Sequence, residues 1–319
     1  MKKRALGRTG MQITPIGLGT WAIGGGEWAY SWGLQDDHDS VAAIQRAVEL
    51  GINWIDTAAV YGLGHSEEIV GRAIADMTEK PFIFTKCSLV WDDQRKVGNS
   101  LKAGSIRQEC LQSIRRLGVE AIDLYQIHWP NPDEEIEEGW TEMARLKEEG
   151  LVKHIGVSNF TVAQMQRAEA IAPVETLQPP YSMLRRAIEV ELLPWCIEHG
   201  VGVIVYSPML SGMLTGAMTK ERAESLPAGD WRRNNKEFQE PRLSRNLELV
   251  ELLRRIGSRY RRSPGEVAVA WTLRHPGVSG AIVGGRSDAQ VEGIVGAGEL
   301  KLDEGEIAEI DAYVSAMPT

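Results

Sequence analysis

A carboxylate, a phenol, an amine and an imidazole recur in this chain at one kind of place. Asp56 closes the apolar run Ile52, Trp54, Ile55, and Tyr61 follows five residues later in a loop punctuated by Gly62 and Gly64. Lys86 closes FIFTK (82–86), and His128 closes IDLYQIH (122–128). A phenol free in water has a pKa of about 10, too high for effective proton exchange at neutral pH. A lysine ammonium beside it favours the phenolate and lowers that value, while an aspartate paired with the lysine keeps the cation charged and placed. An imidazole next to the phenol can orient a carbonyl group or relay the proton. Together these groups suit protonation of an oxygen as hydride arrives at its carbon, and the hydride implies a bound nicotinamide. Each residue alone has a plainer explanation: Asp caps helices after strands, His128 can be satisfied in a core, and Lys86 can snorkel outward. The joint reading requires a fold that delivers all four to one end.

The spacing of apolar runs supplies such a fold. Short runs at 16–20, 52–56, 82–86, 122–128, 154–159, 176–178, 202–208 and 279–285 alternate with amphipathic stretches at 38–50, 66–77, 104–117, 136–150, 161–171, 187–199 and 243–274. The last reads as two helices split at Ser263 and Pro264. Strands separated by helices are parallel neighbours, because parallel pairing needs crossover connections. Eight such runs without a long linker predict one α/β domain over 1–319, a closed (β/α)8 TIM barrel, with a doubly wound open sheet as the alternative. Residues 3–16 read as a small N-terminal β-hairpin around Gly10, and extra helices are expected at the C-terminus. A helix is expected to open at Ser66, with Glu67 and Glu68 favoured at its positive end. In a parallel barrel all C-terminal strand ends share one rim, so Asp56, Lys86, His128, Ser158, Asn159, Gln178, Tyr206 and Ser207 would converge there.

Composition excludes other classes. The net charge of −9 argues against a nucleic-acid surface, and Arg254, Arg255, Arg259, Arg261 and Arg262 fit the exposed face of a late helix. Cys87, Cys110 and Cys196 are odd in number and in no close pair, which suits free thiols in a reducing compartment. No run approaches the roughly 18 apolar residues of a membrane span. A cytoplasmic protein acting on a small molecule, with no nucleic-acid or membrane partner, is expected; a homo-oligomer stays open.

The dinucleotide site is harder to read. No G-x-G-x-x-G links a strand to a helix, and GTWAIGGG (19–26) lacks the features of a phosphate loop. Ser158, Asn159 and Gln178 could hold a carboxamide, and Tyr206 could stack on a nicotinamide, or all four could serve ordinary packing. Gly284, Gly285 and Arg286 before a helix from Ser287 suit phosphate, or equally form a plain turn. Trp21, Trp28, Trp32, Trp91 and Trp129 fall in rim loops; they suit apolar carbonyls or sugars, or simply close the barrel. Trp231, Arg232 and Arg233 would add positive charge near the mouth.

At these residues the chain resembles the aldo-keto reductase family. The likeness runs through IGLGTWAIGG, IDTAAVYGLGHSEEIVG, FTKC, IDLYQIHWP, HIGVSNF, TLQPPY, VIVYSPM and SPGEVAVAWTLRHPGVSGAIVGGRS, nearly the whole chain. It is most similar to the bacterial branch of general-stress and inositol-utilisation reductases, related to potassium-channel β subunits. The resemblance implies a (β/α)8 barrel that binds NADP(H) without a Rossmann domain and reduces a carbonyl compound. It implies a catalytic tetrad of Asp56, Tyr61, Lys86 and His128, with Tyr61 as general acid. It places the nicotinamide end at Gly19, Thr20, Trp21, Asp56, Ser158, Asn159, Gln178 and Tyr206. The pyrophosphate would follow Ser207, Pro208, Leu210 and Gly212 beneath the segment 213–242. The 2′-phosphate end would lie at Gly284 and Arg286, with Gln290 near the adenine. Substrate would meet Trp21, Tyr61, Trp91, His128 and Trp129. The chain departs from the family pattern at Val283, usually Pro, at Gly285, usually Ala, and at Gly293 and Ile294, usually Glu-Asn. NADP preference then rests mainly on Arg286. Two other functions fit the residues: a redox-sensing NADP-binding regulatory subunit with slow turnover, and a Schiff-base lyase using Lys86.

Overall fold

A computed structural model describes residues 1–26, 28–227 and 229–317. Two short strands, β1 (Arg4–Ala5) and β2 (Gln12–Ile13), pair antiparallel as the expected hairpin. Eight parallel strands then close into a barrel. They are β3 (Ile16–Gly19), β4 (Trp54–Asp56), β5 (Phe82–Cys87), β8 (Ile122–Ile127), β9 (Val152–Ser158), β10 (Thr176–Gln178), β11 (Gly202–Val205) and β12 (Gly280–Gly284). The loop after β5 carries a second hairpin, β6 (Leu89–Trp91) with β7 (Val97–Asn99), which the spacing of runs does not predict. The open-sheet alternative is excluded by the closure.

Helices α1 (Asp37–Glu49), α2 (His65–Ile74), α3 (Ala103–Leu117), α4 (Ile136–Glu148), α5 (Val162–Glu169), α6 (Leu192–Glu198), α7 (Lys220–Glu224), α8 (Arg242–Ser258), α9 (Pro264–Leu273), α10 (Asp288–Val295) and α11 (Glu304–Ala316) follow in order. The expected break at Ser263 is a capping box: Ser263 accepts from the Glu266 N–H, and Glu266 accepts from the Ser263 backbone. The arginine-rich face of α8 is spent on carboxylates: Arg254 on Glu251, Arg255 on Glu309 and Arg259 on Glu306. All three cysteines are free and buried. Among the described residues no helix is long and apolar enough to cross a membrane.

Strand parity positions everything that follows. Ile16, Leu18, Ile55, Ile83, Tyr125, Ile127, Val203, Val205, Ala281 and Val283 belong to the large core between barrel and helices. Trp54, Phe84, Leu124, Ile204 and Ile282 form a separate cluster inside the barrel, joined from below by Leu6, Met11 and Ile13 of the hairpin region. The hairpin thus plugs the N-terminal end. A Cβ on Gly17 would lie 2.2 Å from the Trp54 ring, so glycine there is what lets the indole fill the barrel. Because side chains alternate faces along a strand, the next inward residues are Asp56, Lys86, Gln126, Tyr206 and Gly284, and His128 follows Gln126. An apolar layer therefore carries a polar one at the open end.

Candidate active site

Asp56 and Lys86 form the floor of that polar layer. Lys86 Nζ donates to Asp56 Oδ2 at 2.6 Å and to the Thr57 carbonyl at 2.8 Å, and both side chains are almost wholly buried. Gln178 Nε2 donates to Asp56 Oδ1 at 2.8 Å, and Gln126 Nε2 reaches the same oxygen at 3.4 Å. A buried carboxylate is tolerable when paired and hydrogen-bonded in this way. Gln126 and Thr57 are absent from the residues singled out by sequence. Gln126 was accessible by parity, as a polar residue midway between inward Leu124 and His128.

Tyr61 stands over this pair. The Lys86 amine lies 5.3 Å from its ring centroid, and the His128 ring meets it edge-on at 5.8 Å. The tyrosine loop is fixed from beneath by hydroxyls: Ser66 Oγ donates to Thr20 Oγ1 at 2.8 Å and lies 3.1 Å from Thr57 Oγ1. Helix α2 opens at His65, one residue before the expected Ser66, and Gly64 precedes it in a left-handed conformation without a side-chain cap. Thr20, expected at the nicotinamide, is fully buried in the same network. Glu67 lies in the first turn of α2 as expected and is buried, accepting from Thr85 Oγ1 at 2.6 Å and from Arg116 Nε at 2.7 Å. From the other side the backbone at Gly24 presses on Gly62, where a Cβ would lie 2.1 Å from the Gly24 oxygen.

The electrostatics correct one expectation. Burial holds the Tyr61 hydroxyl well above the usual phenol pKa, and the charges of Asp56 and Tyr206 add to the effect. Lys86 was expected to lower it, but its ammonium is matched by Asp56 at contact distance, and burial lowers the lysine's own pKa. Burial, then the Lys86 charge, pushes His128 well below the ordinary imidazole value. The centre therefore presents a protonated phenol and a neutral imidazole.

The other rim residues bind mainly one another. Ser158 Oγ donates to the Gln178 carbonyl at 2.8 Å. Asn159 Nδ2 donates to the His128 carbonyl at 3.0 Å, and Asn159 Oδ1 accepts from Tyr206 at 2.8 Å. Gly19 and Gly284 pair across β3 and β12. Among the described residues, those other than glycine with positive φ gather in the rim loops, at Leu63, Ser88, Arg95, Asn159, Ser207, Leu210 and Ser211, with Arg261 alone elsewhere. Such conformations are costly and cluster at functional sites. Gly212 extends the run after Pro208 at φ 92°.

Aromatic rings close the mouth. Trp21 stacks on Trp231 at 5.4 Å and on Tyr61 at 6.3 Å, while Trp32 meets Trp21 edge-on at 5.3 Å. Trp28 packs on Tyr61 at 6.2 Å. Trp231 belongs to the segment 213–242, which, Ala228 aside, reaches over the rim to this cluster. Of the two arginines expected to add positive charge there, Arg232 is paired with buried Asp230 at 2.6 Å. Trp91 lines a groove of about 360 Å³ with Gly62, Leu63, Asp92, Asp93 and Arg95. Trp129 is 40% exposed, its backbone N–H held by Ser88 Oγ. A larger hollow lined by Glu251, Leu252, Arg255, Glu309 and Tyr313 lies on the helical shell between α8 and α11, away from the chemistry.

Arg286 precedes α10. Its guanidinium donates to Gln35 Oε1 and to the carbonyls of Trp32 and Leu34, all neutral oxygens. Gln290, expected beside an adenine, accepts from the Arg286 backbone N–H at 3.0 Å. Gly285 packs under α10, where a Cβ would lie 2.8 Å from Val291 Cγ2. Gln35 and Asp230 escaped sequence reasoning because they lie in loops without periodicity.

Comparison with known proteins agrees with this arrangement. A model of the aldo/keto reductase family matches residues 15–315. The aldo-keto reductase YhdN of Bacillus subtilis is 38% identical over 297 residues, covering 92% of this chain and 88% of its own. The NADH-specific methylglyoxal reductase of Escherichia coli is 35% identical over 318 residues, covering 95% of each chain. The glycerol dehydrogenase AKR11B4 from Gluconobacter oxydans superimposes with a TM-score of 0.89 at 37% identity, covering 98% of this chain and 95% of its own. A closed parallel barrel, a polar rim above an apolar plug and these relatives agree: the chain belongs to the aldo/keto reductase family.

Proposed function

We propose that the protein reduces the carbonyl of a small aldehyde, ketone or open-chain sugar to an alcohol with NADPH, with Tyr61 donating the proton. The observation that carries this reading is the buried Lys86–Asp56 pair beneath a protonated phenol and a neutral imidazole. A bound nicotinamide cofactor supplies the hydride.

The chain's residues divide the remaining work. Neutral His128 has one ring N–H to donate to the carbonyl oxygen without adding charge. Tyr61 keeps its proton in the ground state. An oxygen becoming an alkoxide is far more basic than a phenolate, so even a phenol of raised pKa gives up its proton there. Lys86 stabilises the phenolate left behind, and Asp56 keeps Lys86 charged at that depth. Trp21 and Trp28 pack on the Tyr61 ring, and Trp231 stacks on Trp21, so indoles cover part of the centre against water.

The donor set also fits a dinucleotide. Gln178 donates to Asp56, which leaves its amide oxygen to accept from a carboxamide, and Ser158 and Asn159 adjoin it. The Tyr206 ring rests on the barrel's apolar plug with its hydroxyl anchored, a surface for stacking. Ser207, Leu210, Ser211 and Gly212, all of positive φ, turn the loop 207–212 along the rim where a pyrophosphate would lie, with the N–H groups of Leu210 and Gly212 bonded to the carbonyls of Ser207 and Met209. Arg286, whose side-chain partners among the described residues are neutral, would meet a 2′-phosphate. A second reading, NADH as donor, is favoured by the NADH-specific relative and by the grip of Gln35 on Arg286. Lys86 is too deeply buried and too firmly held by Asp56 and Thr57 to serve as a lyase nucleophile. Buried free thiols suit a cytoplasmic setting.

Consumption of NADPH and of NADH, followed by absorbance against a panel of aldehydes, ketones and sugars, tests the reading. Turnover with at least one carbonyl supports it. Cofactor binding without turnover across the panel would move the assignment to a regulatory subunit.

A further inference from the structure

Arg286 belongs to the loop between β12 and α10, yet the segment after β3 holds its side chain. Its Nε donates to Gln35 Oε1 at 2.5 Å, its Nη1 to the Trp32 carbonyl at 3.3 Å, and its Nη2 to the Leu34 carbonyl. Gln35 returns the contact, donating from Nε2 to the Arg286 carbonyl at 3.0 Å. The two residues, 251 positions apart, thus clasp each other through side chain and backbone. Among the described residues, none of the oxygens bonded to the guanidinium carries charge. Burial and the neighbouring Arg232 disfavour its cation, whereas Asp230 supports it, so an anion arriving here would relieve a real cost.

We propose that Gln35 is a specificity-determining residue: it competes with the cofactor's ribose 2′-phosphate for Arg286 and so narrows the preference for NADPH over NADH. This rests on the reading that Arg286 is the residue that meets that phosphate. A guanidinium has five N–H groups but only one on Nε. Gln35 takes that one. The Nε edge, one of those able to grip a phosphate through two parallel bonds, is therefore closed while the loop is docked. A 2′-phosphate using that edge displaces Gln35 and loosens the loop bonds at Trp32 and Leu34. NADH has no 2′-phosphate and binds with the clasp intact. The penalty falls on one cofactor alone.

Trp32 provides a readout independent of turnover. Its ring lies 5.3 Å from that of Trp21 and 4.6 Å from the Arg232 guanidinium, so release of its backbone changes tryptophan emission. Dissociation constants for NADPH and NADH should be measured by fluorescence and calorimetry on the full chain, for wild type, Gln35→Met, Gln35→Ala, Arg286→Ala and Gln35→Met/Arg286→Ala. Methionine keeps the length and packing of Gln35 without its hydrogen bonds; alanine is the second variant, and thermal midpoints report folding. Gln35→Met is expected to tighten NADPH by roughly 3- to 10-fold, the scale of one hydrogen bond to a charged group, and to leave NADH unchanged. In the Arg286→Ala background the same substitution should have no effect. Weaker NADPH binding in both Gln35 variants, or equal shifts for both cofactors, overturns the proposal while the 2′-phosphate assignment stands. If Arg286→Ala leaves the ratio of the two affinities unchanged, the assignment itself fails and the proposal falls with it.

Discussion

Removing the amine of Lys86 while keeping the carboxylate of Asp56 separates the electrostatics of the centre from its chemistry. The groups meet at 2.6 Å with side-chain exposures of 0% and 3%. After Lys86→Met, Asp56 retains only the neutral amides of Gln178 at 2.8 Å and Gln126 at 3.4 Å. Breaking a buried pair by removing one partner costs about 3–5 kcal/mol, because the survivor is left charged and out of water. Lys86→Met should fall in that range. Asp56→Asn should lose less, because the stranded amine can shed its proton; burial already lowers the lysine pKa with Asp56 in place. With a lowered folded-state pKa, the unfolded chain binds more protons between that value and the ordinary lysine value of about 10.4. The stability of Asp56→Asn should therefore rise with pH across that window, more steeply than wild type. The double variant carries neither charge and should lie within about 1–2 kcal/mol of wild type. Urea unfolding of the four proteins, at neutral and at alkaline pH, measures the cycle. Single losses below about 1 kcal/mol, or losses that simply add in the double variant, would refute the coupled buried pair.

Two further predictions concern His128 and the tyrosine loop. The depressed pKa of His128 means that its contribution to stability is complete above about 6.5 and declines as pH falls towards the folded value. His128→Asn should flatten that acid limb, by up to about 1.4 kcal/mol per pH unit, and an unchanged slope in urea unfolding would place the acid sensitivity elsewhere. Gly62→Ala combines a left-handed φ of 64° with a Cβ 2.1 Å from the Gly24 oxygen. It should lower stability by roughly 2 kcal/mol or more and slow turnover by displacing Tyr61; a fully active, equally stable variant would contradict the packing described.

Most of the fold was legible because strand parity and helix spacing are local signals. Trp54 and Asp56, Phe84 and Lys86, or Leu124 and His128 face the same way for a reason visible in any short window of sequence. The hairpin β6–β7 was not, since its three-residue strands leave no periodic trace. The start of α2 was legible to within one residue, but the hydroxyl network of Ser66 with Thr20 and Thr57, the first of them 46 residues away, was not. Glu67 falls in the first turn of α2 as expected, but its partner Arg116, 49 positions on, was not legible. The direction of the Tyr61 pKa was missed because proximity to Lys86 was legible while burial, and the neutralising contact of Lys86 with Asp56, were not. Gln35 and Asp230 depend wholly on loop placement.

The central claim is that Tyr61 supplies the proton and the residues around it hold the reactants. Tyr61→Phe keeps the ring that packs against Trp21, Trp28 and His128 and removes only the hydroxyl. With a carbonyl substrate that the wild type reduces, kcat of this variant should fall by roughly 100- to 10,000-fold, the range of a lost general acid, while the Kd for NADPH stays unchanged. A kcat equal to that of wild type would show that the proton comes from another group.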